Sequence, residues 1–130
     1  MNHSKSIEQL ENKVWPDPDF NSHLVIECHR LRKLPISDLR IEDLRLLISQ
    51  KIGLKHILPL AFDVLERNPL VAGDMYDGDL LFAVASVDSQ FWDSNSDLNN
   101  RLVEIKDSLS ILAGTINNVL LPLLNNFQYK

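Results

Sequence analysis

Leu98, Leu102, Ile105, Leu109, Leu112, Ile116, Leu120 and Leu123 recur every three or four positions through the last third of this chain. That spacing follows the turn of an α-helix and lines the apolar side chains along one face, so the C-terminal third predicts one long helix, or two joined near Gly114. No stretch alternates apolar and polar residues in the manner of a half-buried strand, and no Asn-Gly or Asp-Gly sits between two period-two runs. The chain therefore predicts an all-α fold, a single-domain helical bundle of about six helices over residues 1–130.

The start and stop signals agree. Ser6, followed by Gln9, has the form of a capping box that opens a short helix, and Trp15-Pro16-Asp17-Pro18 begins a loop over 15–21 because each proline lacks an amide proton. Asn21 or Ser22 is placed to cap a second helix with Leu24, Val25, Cys28 and Leu31 on its apolar face. Its last turn carries His29, Arg30, Arg32 and Lys33, where the helix dipole favours cations; as a basic patch they read as solvated helix ends. Ser37 or Asp38 predicts the start of a third helix with Leu39, Leu44, Leu47 and Ile48 inward, stopped by a left-handed Gly53. Pro59 interrupts the helical pattern of 54–67 and predicts a kink, or a helix that starts near Ile57. Asn68-Pro69 closes that pattern, Asp79 opens a helix through Leu80, Leu81, Val84 and Val87, and Asp88 caps a short turn with Phe91 and Trp92.

A chain of 130 residues with 45% hydrophobic and 24% charged residues is sized for one core and too apolar for a disordered segment. Its net charge of −5 disfavours nucleic acid and anionic membranes and favours a basic partner. The one cysteine, Cys28, requires no oxidising compartment. The first twenty residues carry Lys5, Glu8, Glu11, Lys13 and Asp17 with no apolar run of signal-peptide type. The longest apolar run, Val119 to Leu124, is far short of the roughly 20 residues of a membrane span. The expectation is a cytoplasmic protein that engages neither membrane nor nucleic acid.

Three carboxylates, Asp74, Asp77 and Asp79, fall within six residues beside Gly73 and Gly78. A calcium loop needs glycine at its sixth position and a closing glutamate, and this stretch has neither. Turn and capping chemistry, or an acidic contact surface for a basic partner, fit better, and the two are compatible. Tyr76 among the acids supplies an aromatic anchor of the kind that dominates interface energetics, whereas Trp92 reads as core. Cys28 and His29 are neighbours on a helix and point about 100° apart, so they do not form a thiolate and base pair; Cys28 reads as a buried small hydrophobe. Arg40, Glu42, Asp43 and Arg45 read as pairs along or across helices. No phosphate loop, dinucleotide fingerprint or zinc-protease pattern occurs. No catalytic residue, metal ligand or cofactor is expected.

In order, Cys28-His29-Arg30-Leu31-Arg32-Lys33, Ile41-Glu42-Asp43-Leu44-Arg45, Ile52-Gly53-Leu54-Lys55, Asn68-Pro69-Leu70, Gly73-Asp74-Met75-Tyr76-Asp77-Gly78-Asp79-Leu80-Leu81 and Phe91-Trp92 resemble the immunity proteins of bacterial contact-dependent growth inhibition (CDI) systems. The resemblance runs over roughly 6–107, leaving 110–130 as a C-terminal extension. Trp15-Pro16 departs from the family, where glycine more often follows the tryptophan.

The resemblance implies a cytoplasmic antitoxin that binds and neutralises the cognate C-terminal toxin domain of a CDI effector, one to one and without catalysis. The acidic balance suits a basic nuclease as that toxin, with Asp74, Tyr76, Asp77 and Asp79 as its contacts. Two other readings share the composition: a helical adaptor or regulator with a non-toxin partner, and a small metal-dependent hydrolase using Asp74, Asp77 and Asp79 with His56 as base.

Overall fold

A computed structural model describes residues 3–18 and 22–130. Seven helices follow in order among these residues: α1 (Ile7–Glu11), α2 (His23–Arg32), α3 (Ile41–Ser49), α4 (Leu54–Arg67), α5 (Asp79–Ala85), α6 (Ser89–Ser94) and α7 (Ser96–Leu124). No strand occurs among the described residues, only isolated bridges between Ser6 and Pro35 and between Ala72 and Asp77. The fold is all-α, with one helix more than expected.

The capping box at α1 forms as the sequence requires: Ser6 Oγ accepts from the Gln9 amide at 3.2 Å, and the Ser6 amide donates to Gln9 Oε1 at 2.9 Å. Ile7 then presses its side chain onto Gly53, whose missing Cβ would lie 3.0 Å from it. Gly53 is left-handed, but it stands before α4 rather than ending α3, which closes at Ser49 with Lys51 also left-handed. The third helix likewise begins later than expected. Ile36–Asp38 is a 3-10 turn, and α3 starts at Ile41 because the Asp43 carboxylate accepts from the Arg40 amide at 2.9 Å. Leu39 is thereby left ahead of the helix and only partly buried.

Pro59 lies inside α4, which runs from Leu54 rather than from near Ile57. In α2, Ser22 stands at the N-cap without a side-chain bond, Leu24 is exposed, and Cys28 and Leu31 point inward; Asn21 and the end of the expected 15–21 loop lie outside the described residues.

One core joins these helices. Ile7, Leu31, Leu44, Leu47 and Ile48 meet Ile57, Leu58, Ala61, Phe62 and Leu65 of α4, and Leu80 and Val84 of α5 close it. Trp92 packs edge-on against Phe62 at 6.2 Å and donates its indole N–H to the Val87 carbonyl at 3.1 Å. Of α7, only Ile105 is buried, with Leu98 and Leu102 packed beside it. Arg101 fastens this half of α7 to α4 through Glu66 at 2.6 Å and Asp63 at 2.9 Å, with its guanidinium over the Phe62 ring.

Beyond Ile105 the helix leaves the core. It continues unbroken past Gly114 and widens to a π turn at Ile116–Leu120 before its last α turn, Leu121–Leu124. Ser96–Leu124 is long and apolar enough, by length and composition, to cross a membrane. The run Val119 to Leu124 alone did not reveal this, because small and amide side chains separate the leucines.

Candidate functional site

The acidic stretch forms a compact loop between α4 and α5, closed at both ends by glycine. Gly78 is left-handed at φ +93°, and its amide donates to the Leu70 carbonyl at 3.1 Å, turning the chain back before α5 begins. Gly73 is required for closeness: a Cβ there would sit 2.6 Å from Glu42 Oε1 and 3.3 Å from the Glu42 backbone.

Asp79, the first residue of α5, faces into the loop with only 3% of its surface exposed. Its carboxylate accepts from the amides of Gly73 at 2.6 Å, Met75 at 3.0 Å and Tyr76 at 3.4 Å. Burial pushes the Asp79 carboxyl up, but the three amides and the Arg45 guanidinium 3.9 Å away outweigh it and hold the group below the ordinary aspartate range.

From α3, Glu42 accepts two bonds from Arg45, at 2.7 and 2.6 Å, and a third from the Asp74 amide at 2.9 Å. The Arg45 bond, with the Asp74 amide added, keeps the Glu42 carboxyl low against the burial that would raise it. Glu42, Arg45 and Asp79 thus form one charged network that clamps the backbone of 73–76. Arg40, Glu42, Asp43 and Arg45, expected to pair along or across helices, do so along α3, Arg40 with Asp43 and Glu42 with Arg45.

The clamp leaves the other side chains facing outward. Asp74 and Asp77 are exposed, and Tyr76 is 52% exposed, so its ring is not core. Met75 at 67% and, one turn into α5, Phe82 at 65% stand beside it. These apolar groups border a groove of about 250 Å³ between α3 and α5, floored by Ile48 and Ala83. Of these outward-facing groups, Asp74, Asp77 and Tyr76 are the ones singled out by the sequence. Met75 and Phe82 do not stand out in the sequence: Met75 is a single apolar residue within a polar turn, and Phe82, directly after Leu80 and Leu81, looks the same as core until the helix is docked.

Other candidates resolve differently. Arg32, expected on a solvated helix end, is 1% exposed: its guanidinium lies 4.1 Å over the Trp15 ring and donates to Glu11 at 2.8 Å and to the Lys13 carbonyl at 3.1 Å. His29 stacks edge-on with Trp15, and its two ring nitrogens face the carbonyls of Val25 and Pro16 at 2.8 and 3.1 Å. The basic cluster therefore splits, with Arg30 paired to Glu27 outside and Arg32 pinning the N-terminal segment inside. Cys28 is buried, which pushes its thiol up and makes it a poor nucleophile. Among the described residues, no group of three or more His, Cys, Asp and Glu side chains is placed to hold a metal ion, and both Asp79 oxygens are already committed to backbone amides.

A rigid acidic loop with an aromatic and a thioether at its crest, beside an apolar groove, has the make-up of a protein-recognition surface. The family model for CDI immunity proteins matches residues 9–102, which span both α3 and the clamped loop, and the chain belongs to that family. Family membership marks it as an antitoxin directed against a toxin of contact-dependent growth inhibition. No curated protein and no solved structure matches the chain.

Proposed function

We propose that the protein is a cytoplasmic, stoichiometric inhibitor that binds its cognate CDI toxin domain one to one, without chemistry of its own, and that the toxin is a basic nuclease. The observation that carries this reading is the family match over 9–102 combined with the loop it contains. Asp74 and Asp77 present carboxylates to a cationic surface such as a nuclease uses for phosphate, Tyr76 provides the anchor, and Asp79 with Glu42 acts from beneath by holding the loop backbone on which they stand. Met75 and Phe82 extend the contact into the groove.

A net charge of −5 speeds capture of a basic partner, so association slows as salt screens it. An inhibitor that must outlast repeated delivery of toxin needs a dissociation constant of about nanomolar, on the order of −12 kcal/mol.

Co-expression with the toxin domain encoded beside it tests the reading through growth rescue, and calorimetry of the purified pair gives stoichiometry and affinity. Rescue with one-to-one nanomolar binding is expected. A micromolar constant for that toxin, with both proteins folded, would overturn it.

A further inference from the structure

We propose that two copies of this chain form a two-fold dimer in which residues 111–127 of each copy lie antiparallel across the α5–α7 groove of the other, the helices crossing near Ala113. The proposal rests on two apolar surfaces of the same molecule. The first is the outer end of α7, where Leu112, Ile116, Leu120 and Leu124 follow at intervals of four and all stand exposed, with Phe127 beyond them. The wider π turn at Ile116–Leu120 slows the drift that a four-residue repeat suffers around an α-helix, which helps keep them in line. The second is a groove between α5 and α7 walled by Leu81, Ala85, Leu102, Val103 and Leu109.

The register follows from symmetry. In an antiparallel pair centred on Ala113, Leu102 stands opposite Leu124 of the second copy and Lys106 opposite its Leu120, so the exposed stripe of one copy meets the groove of the other, and the reverse. Helix rise is about 1.5 Å per residue. The groove, lined from Asn99 to Leu109, therefore accepts the stripe from Ile116 to Phe127 along its length.

Size and charge favour this occupant. Fully burying an aliphatic side chain removes roughly 60–120 Å² from water, so about ten partly exposed ones remove on the order of 500–1,000 Å² per copy. A standard interface needs about 800 Å² per partner. Of all the charged side chains only Lys130 lies beyond Asp107, so the stripe each copy contributes is uncharged, and the charged residue it meets in the groove lining is Lys106, whose long stem can pack on the stripe while its ammonium reaches solvent. A membrane is the weaker occupant: a helix lying in a lipid interface carries Lys or Arg on its polar face, and here that face offers serines, Thr115 and asparagines.

Sedimentation of the full-length protein from about 1 to 100 μM tests the proposal. A dimer is expected, and Ile116→Asp with Leu120→Asp should raise its dissociation constant at least a hundredfold while far-UV circular dichroism stays close to the parent's. Oxidation of Ala113→Cys should give a covalent dimer, since native Cys28 is buried and does not compete, whereas Ser108→Cys should not, being displaced from its counterpart by about ten residues, roughly 15 Å. A monomer throughout the range overturns the proposal, and so does a dimer indifferent to the two aspartates. Equal cross-linking at both cysteines overturns the antiparallel arrangement. Flotation of the monomeric parent with phosphatidylcholine–phosphatidylglycerol vesicles, abolished by the two aspartates, assigns the stripe to lipid instead.

Discussion

Asp79 shows how one buried side chain can fix the shape of an exposed loop from beneath. Its carboxylate replaces water for three loop amides at once, and a carboxylate accepting from backbone N–H groups is a stronger acceptor than a neutral one. Asp79→Ala leaves those donors without an acceptor, and a loss of about 2–3 kcal/mol is expected in urea unfolding. Toxin affinity should fall with it, because Asp74 and Tyr76 lose their fixed positions. The outward acids are different: Asp74→Lys with Asp77→Lys should leave the unfolding midpoint within about 0.5 kcal/mol of the parent, as surface changes do, and act on binding. Its diagnostic reading is the association rate, which should fall steeply and lose most of its salt dependence; an unchanged rate would remove these two residues from the interface. The pH response has a definite sign. Glu42 and Asp79 are both held below their ordinary values of 4.5 and 3.8, so they bind protons more readily unfolded. Their contribution is complete above those values and is lost as pH falls through the lower folded ones. The stability gap between the parent and Asp79→Asn should accordingly narrow from pH 6 towards pH 3, a trend that chemical denaturation at stepped pH would follow.

At the level of elements, the molecule is organised by side chains that tie one segment to another, and these are what sequence shows least. Helix existence was legible except at α6, read as a short turn, because periodic leucines and caps such as Ser6 with Gln9 act within one turn. Boundaries were less so: Ser37 and Asp38 have the chemistry of N-caps, yet Asp43 reaches back to the Arg40 amide and starts α3 later. Gly53 was correctly read as left-handed and assigned to the wrong neighbour, since a left-handed residue serves a helix end or a helix beginning equally well. Of the site, the acids and Tyr76 were legible as dense charge beside an aromatic. That Asp79 turns in and Phe82 turns out depends on how α5 docks against α3, which no local pattern encodes. Arg32 is the sharpest case. Three cations in a last turn look alike in sequence, but Trp15 and Glu11 from the preceding segment select one of them for burial. Arg32→Ala should cost about 2–3 kcal/mol through the lost stacking and the unpaired Glu11 and Lys13 groups. Arg32→Lys should recover little, lacking the planar fork. Arg30→Ala, a few ångströms away on the exposed face, should cost under about 0.5 kcal/mol. Thermal denaturation of the three variants side by side separates the buried arginine from the solvated one.

The whole molecule divides along α7. Up to Ile105 this helix is part of the core, fastened by Arg101 to Glu66 and Asp63, and the family match ends nearby at residue 102. Past Leu109 the side chains of 110–124 contribute nothing to the shared core; the apolar positions stay exposed although their spacing continues unchanged from Leu98. A single period therefore serves two ends: the same face that closes the domain at Leu98, Leu102 and Ile105 projects beyond it as an unpaired stripe. Periodicity does not tell the two halves apart, because it reports which residues share a face and says nothing about where the opposing surface stops; the family resemblance alone sets 110–130 apart. On this division, stability and the proposed toxin recognition belong to 1–109 and self-association to the remainder. Ending the chain after Ser110 should lower the unfolding midpoint of the monomer by no more than about 3 °C, equivalent to under 1 kcal/mol in a domain of this size. Growth rescue and calorimetric affinity for the toxin should match the full-length protein, while the dimer disappears from sedimentation at every concentration. A shortened chain that fails to fold would show that the outer helix supports the core after all, and one that folds but no longer protects would move the toxin contact from the clamped loop onto α7.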